Sequence, residues 1–513
     1  MKGLRARKRN QKFYQCGPSS PAVFRSVGQA EDRPERCGRT TLPTRQAHAD
    51  MFLSAADEPD RQFAMETVDL LIEARWIVPV VPRNAVLEHH AVAVRDGIIV
   101  ALLPTDEAER RFSAAERVSL PTQVLIPGLV NLHTHAAMAL FRGIGDDLPL
   151  MQWLESRIWP LERALVSPEF VHDGSRLAAI EMLRSGTTCC SDMYFYPEDA
   201  VRALRSVGMR AVVGIIAIEF PTAYAADAED YLRKGLATRD AFRSDSLVSF
   251  TLAPHAPYTV ADGTFAKIAM LAEELDLPVH IHLHETEGEI EESIRQHGER
   301  PLARLERLRL VTERLIAVHA VHLEPAEIAL LGQRGASVAH CPASNLKLGS
   351  GIARVAELLA AGVNVGLGTD GAASNDRLDI VSEMRLAALL AKGIRRDATA
   401  VPAAAAVEAA TLGGARALGL ERRVGSIEVG KEADLAAFDL GAIETQPVYD
   451  PVTQLVYAAG REHATDVWVA GDPVVRGRQV LAEAQEGAAR QTAAQSLAWQ
   501  NRCRQVLQTA GVV

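Results

Sequence analysis

His133 and His135 close an apolar run in PGLVNLHTHAAMALFRG, residues 127 to 143. If Leu125 to His135 is one buried β-strand, side chains i and i+2 share a face, so both imidazoles converge on one point. Convergent imidazoles are two of the three protein ligands of a catalytic zinc site. Alone, the pair reads equally well as one core histidine and one solvated histidine. Three more histidines, His280, His282 and His284, follow one another at period two in LPVHIHLHETEGE, with Glu285 directly after them. All three can point inward, and any one of them can complete a metal site. LIAVHAVHL ends in His319 and His322, and VNVGLGTDGAASN carries Asp370 after glycines that let the backbone turn tightly.

Three neutral imidazoles and one carboxylate suit a borderline cation such as zinc, with an open position for water. Such an ion lowers the pKa of water toward neutrality and generates hydroxide. One carboxylate beside that water takes its proton, and a second delivers it to the substrate. Asp370 and Glu285 are the two candidates. His319 beside them is suited to orient the hydroxide or to stabilise developing negative charge. A single histidine of this kind is more often structural; the joint pattern points to a site.

The elements that must bring these residues together are legible as a repeat. Strand-like runs end near His135, Ser191, Gly214, His255, His284, His319, His340 and Asp370, each followed by a helical stretch such as 263 to 275 or 353 to 361. Eight such units suit a (β/α)8 TIM-type barrel of the α/β class better than an open sheet, and barrel chemistry sits at the strands' C-terminal ends. Val68 to Leu103, residues 425 to 440 and residues 463 to 481 read instead as short β segments broken by turns. The expected organisation is a disordered extension over 1–64 and a small β-sandwich domain from both ends of the chain, 65–125 plus 421–482. A hydrolase barrel over 126–420 and a C-terminal helix within 483–513 complete it.

Hydrophobic residues make up 48% of the 513 and charged residues 23%, as in a globular protein with a sizeable core. The first 50 residues hold eleven Lys or Arg against four acids, a net +7, which leaves −17 on the rest of a chain whose total is −10. That acidic remainder argues against nucleic acid as the main partner. The basic stretch reads as an extension, or as the result of a start placed ahead of Met51 or Met65. Six cysteines without regular spacing fit a reducing cytoplasm rather than a disulfide framework, and no run reaches the length of a membrane span. A cytoplasmic protein is expected, with homo-oligomerisation left open.

PGLVNLHTH, HLHE, VHAVHL, HCPASNLKLGSG and GLGTDGAASN together resemble the amidohydrolase superfamily over about residues 66 to 480. The likeness is to its cytosine-deaminase-like branch, which includes the 5-methylthioadenosine/S-adenosylhomocysteine deaminases and the triazine hydrolases. The resemblance implies one divalent metal ion per subunit, expected to be Zn2+ with Fe2+ or Mn2+ as alternatives, held by His133, His135, His282 and Asp370. It makes Glu285 the proton shuttle and His319 the group that orients the hydroxide. It assigns His280 to barrel packing and His284 to the mouth. The fourth strand, SFTLAPHAPY, has no lysine for a second metal.

The same resemblance puts Glu162 at the ribose hydroxyls of a nucleoside and His255 against the bound nucleoside, so the implied substrate is a small adenine nucleoside and the implied reaction is hydrolytic deamination at C6. Met138, Phe141, Trp153 and Trp159 are expected to wall the pocket. Some members of the branch bind a homocysteine carboxylate with arginines after the third strand; here that loop reads IEFPTAYAADAEDYLRKG, with Arg233 and Lys234 nearby. The rival within the branch is a triazine hydrolase or a deaminase of guanine, 8-oxoguanine or a pterin, with the same metal residues. A barrel reduced to a binding scaffold would lack ligands, and none is missing.

Overall fold

The computed structural model describes residues 65–484 and 487–511, so the extension expected over 1–64 lies outside them. The described residues open with four strands, β1 (Glu66–Ile77), β2 (Leu87–Arg95), β3 (Ile98–Pro104) and β4 (Phe112–Pro127). Eight more follow, each separated from the next by helix: β5 (Leu129–Thr134), β6 (Thr187–Asp192), β7 (Arg210–Ala217), β8 (Val248–Pro254), β9 (Val279–Leu283), β10 (Leu315–His319), β11 (Ser337–His340) and β12 (Asn364–Leu367). The last four are β13 (Leu435–Asp439), β14 (Ala464–Val469), β15 (Asp472–Arg476) and β16 (Gln479–Val480).

Strands β5 to β12 pair in parallel and in chain order. They are buried on both faces, which is why they read as continuous apolar runs rather than as alternation. The barrel closes between β12 and β5 through a side chain. Asn131 Nδ2 donates to Thr369 Oγ1 at 2.7 Å, Thr369 N donates to Asn131 Oδ1 at 3.0 Å, and Asp370 N reaches His133 O at 3.0 Å.

The remaining strands form a second sheet in the order β16-β15-β14-β13-β4-β1-β2-β3, so both ends of the chain supply it. Its ladder is mixed, with β4 parallel to β1 and antiparallel to β13. Leu70, Ile72, Val92, Ile99, Leu125, Leu435 and Trp468 form its buried apolar cluster. Of residues 425 to 440 only Leu435–Asp439 is a strand; Gly425 and Gly430 take positive φ and turn the chain before it. A helix, Thr105–Arg111, also interrupts the N-terminal β region.

The run Leu125 to His135 is two strands rather than the single one expected. Pro127 ends the pairing of β4 with β13, then Gly128 N donates to Asp434 O and Leu129 N to Gly186 O, so the chain passes from one sheet into the other. Gly128 is needed at this crossing because a Cβ there would lie 2.2 Å from Thr188 Oγ1. His133 therefore belongs to β5, while His135 stands just past its end. The helix Ala488–Thr509 packs Trp499 edge-on against Phe170, ring centroids 5.2 Å apart, and Trp499 Nε1 donates to Asp173 at 2.9 Å. It thus covers the helices Trp159–Leu165 and Pro168–Leu183.

Candidate active site

The strand ends at the C-terminal mouth of the barrel gather the histidines and the acids. His284, His319 and Asp370, none of them glycine, have φ of 54°, 68° and 59° there. Left-handed backbone of this kind costs about 1–3 kcal/mol per residue and persists where surrounding contacts over-determine it, typically at functional sites. It turns the chain sharply off β9, β10 and β12 and aims Glu285, His319 and Asp370 inward.

His133, His135 and His282 turn ring nitrogens toward one another, as do His133 and His319 with Asp370, all within 4.8 Å in each group. Asp370 Oδ1 lies 3.3 Å from His133 Nε2 and 3.2 Å from His135 Nε2. On the far side of each ring an acceptor fixes the tautomer: Met193 O takes the His135 Nδ1 proton at 2.6 Å and His255 O takes that of His282 at 2.7 Å. His133 Nδ1 has His280 Nε2 at 3.0 Å in the same role. Their Nε2 lone pairs then face one another, 3.3 Å apart between His133 and His282. Opposed lone pairs repel, and a cation between them converts that repulsion into ligation, so the donor set fits a divalent metal. Burial lowers His133 to about 3 and keeps it neutral. Burial also works against charge on His135, but the adjacent Asp370 outweighs it and raises the ring to about 9; a bound cation competes with that proton.

The carboxylate side is equally fixed. Ser344 and Ser374 hydroxyls donate to Asp370 Oδ2 at 2.6 and 2.7 Å, leaving Oδ1 for the imidazoles. Burial raises the Glu285 carboxyl above its usual range, which favours its protonated form. Glu285 Oε2 stands 3.8 Å from His319 Nε2, and Ser350 Oγ donates to Glu285 Oε1 at 3.3 Å. Asn345 Oδ1, 2.8 Å away, accepts the His319 Nδ1 proton and leaves Nε2 as an acceptor toward the site.

These groups open onto a cavity of about 550 Å³ lined by His135, His282, Glu285, His319 and Asp370 together with Glu162 and His255. Glu162, on the helix Trp159–Leu165, accepts the Tyr194 hydroxyl at 2.8 Å. Burial raises its carboxyl to about 7 against the opposing pull of that bond. His255 Nδ1 is 3.1 Å from Thr259 Oγ1. Met138, Trp153 and Trp159 line the cavity as expected, whereas Phe141 does not: it is fully buried behind the wall, packed on Phe170.

His284 does not line the mouth either. It is fully buried, with Nε2 accepting from Leu302 N at 3.1 Å, because its left-handed backbone throws the ring away from the cavity. Arg233 and Lys234 both pair with Asp230 and lie outside the cavity wall, where Phe220, Pro221, Ala223 and Tyr224 stand instead. Tyr194, Ser344, Ser374 and Asn345 escaped the sequence reading. The last three lie in the SNLKLGSG and GTDGAASN segments, whose Ser and Asn offered the signal.

The description "Amidohydrolase family" matches residues 124–474 of the chain. A 5-methylthioadenosine/S-adenosylhomocysteine deaminase from Teredinibacter turnerae is 47% identical over 414 residues, covering 81% of this chain and 94% of that protein. Among solved structures, an adenosine deaminase from Xanthomonas campestris with bound zinc aligns with a TM-score of 0.84 at 52% identity, over 86% of this chain and 100% of that one. An atrazine chlorohydrolase from Arthrobacter aurescens shares the fold, with a TM-score of 0.77 at 24% identity over 84% of this chain and 100% of that one.

Proposed function

This chain belongs to the amidohydrolase family, and from that premise we propose that it is a metal-dependent aminohydrolase acting on an adenine nucleoside: 5′-methylthioadenosine, S-adenosylhomocysteine or adenosine. The products are the inosine derivative and ammonia. The observation that carries the reading is the sharing of one cavity wall by the imidazole and carboxylate cluster and by Glu162 and His255.

In this reading His133, His135, His282 and Asp370 hold one divalent ion per subunit, expected to be zinc. When bound, that ion supplies the Lewis acidity that brings the pKa of water toward neutrality. Hydrolysis sends both protons of the attacking water to the products, one to N1 of the purine and one to the departing ammonia. Glu285, kept protonatable by burial, carries the first to N1. Asp370 Oδ1 accepts the second from the attacking oxygen and returns it to the departing amine, while its Oδ2 stays anchored on Ser344 and Ser374. His319, with Nδ1–H committed to Asn345, orients the attacking water by accepting its O–H at Nε2. Glu162 accepts the two ribose hydroxyls, and His255 contacts the nucleoside beside His282, the ring centroids being 5.0 Å apart.

The test is ammonia release by zinc-loaded protein with 5′-methylthioadenosine, S-adenosylhomocysteine, adenosine, guanine and a triazine. Rapid turnover of an adenine nucleoside is expected. Activity on guanine or the triazine alone would keep the metal chemistry and overturn the roles given to Glu162 and His255.

A further inference from the structure

The acid Glu285 follows a residue whose backbone is in the left-handed region, His284 with φ 54°. For a residue with a Cβ this conformation has to be held by its surroundings, and here every polar group of His284 is engaged. Its ring Nε2 accepts from Leu302 N at 3.1 Å, and Nδ1 lies 3.3 Å from His322 O. Its carbonyl accepts from Val321 N and His322 N, each at 3.0 Å. Its own N–H and that of Glu285 both point at a single side chain: Glu289 Oε1 accepts from His284 N at 3.0 Å and Oε2 from Glu285 N at 2.8 Å.

Glu289 sits in the first turn of the helix Glu287–His297, whose N-cap Thr286 accepts from Glu289 N at 3.2 Å. Thr286 and Glu289 thus have the spacing of a capping box, in which the second residue ordinarily returns its carboxylate to the N-cap N–H. Here that carboxylate passes over Thr286 and clamps the two preceding amides. It is 8% exposed and ends on backbone rather than in the cavity. A buried carboxylate that straddles two successive N–H groups fixes both the turn and the direction in which Glu285 leaves it.

We infer that Glu289 is a positioning residue for the proton-carrying Glu285, holding the strained His284–Glu285 turn so that the Glu285 carboxyl faces the reacting atoms. The inference rests on the proton-carrying role given to Glu285 above. An amide at position 289 retains one acceptor for two N–H donors, and an aspartate retains the charge but is one methylene too short to reach both.

The experiment compares full-length, zinc-loaded Glu289→Gln, Glu289→Asp, Glu285→Gln and the double variant Glu285→Gln/Glu289→Gln, with bound zinc and thermal midpoint recorded for each. Expected are a drop in kcat of about tenfold or more for Glu289→Gln and a smaller one for Glu289→Asp, with KM within about twofold and zinc content retained. In the Glu285→Gln background, Glu289→Gln adds no further loss, because the group it positions is already gone. The inference is overturned if Glu289→Gln keeps its kcat, if the same fold-loss recurs in the Glu285→Gln background, or if both 289 variants lose kcat only in proportion to lost zinc. Full activity in Glu285→Gln would instead remove the premise that Glu285 carries the proton, and the inference with it.

Discussion

His133 turns its Nδ1 to within 3.0 Å of His280 Nε2, deep in the barrel, and His280 Nδ1 in turn faces Ser191 Oγ at 3.4 Å. A residue that sequence assigns to packing therefore fixes the tautomer of a metal-ligand candidate. Partners of this kind affect metal affinity by about 10–100-fold. His280→Ala is expected to fold and to bind zinc more weakly by that factor in a chelator-competition titration, with activity restored by excess zinc. An unchanged affinity would leave His280 with packing alone.

The four ligand candidates predict a sharper result. His282→Ala or Asp370→Asn should lose zinc and turnover together, to below about a hundredth of the parent rate, since water activation and proton transfer fail at once. Metal analysis alongside the ammonia assay checks this; full zinc occupancy in Asp370→Asn would remove that carboxylate from the ligand set.

Glu162 gives a pH dependence with a definite sign. Burial raises its carboxyl to about 7, so it gains its proton as pH falls through that value and then has fewer acceptors for a diol. KM for the nucleoside is expected to be flat above pH 7 and to climb below it. Glu162→Gln should have a high KM at every pH, with this limb missing; persistence of the limb would assign it to another group.

The cations after β7 should not choose the substrate. Arg233 and Lys234 are both engaged with Asp230, and Lys234 Nζ also stands 5.3 Å from the centre of the Tyr224 ring. Arg233→Ala and Lys234→Ala are expected to change the ratio of kcat/KM for 5′-methylthioadenosine and S-adenosylhomocysteine by less than about twofold, because neither side chain lines the cavity. A selective loss of the homocysteine substrate would show that one of them swings inward.

The barrel was readable because buried parallel strands leave apolar runs that stop at His, Ser, Gly or Asp, and all eight strand ends fall within three residues of the expected stop, the widest gaps being β7, three past Gly214, and β12, three before Asp370. Reading Leu125 to His135 as one strand failed because hydropathy does not say which sheet a strand joins; Gly128 marks the change. The site's supports were less legible. Ser344, Asn345 and Glu289 are ordinary residue types whose partners, Asp370, His319 and the His284–Glu285 amides, are set by how loops converge rather than by any period in the chain. His284 was misread for the same reason, since period two along a strand says nothing of a left-handed turn at its end.

The seam between β5 and β12 joins residues 238 apart through Asn131 and Thr369, and the amide next along it ties Asp370 to His133. Ring closure and assembly of the ligand set are thus one event. During synthesis the first histidines emerge long before their carboxylate, and a nascent chain that has not yet delivered Asn364–Leu367 has no closed cage to offer an ion. Metal uptake is then a report of completed topology: a chain ended before residue 364 should acquire no tightly held zinc, while the full chain should unfold at a higher temperature when loaded.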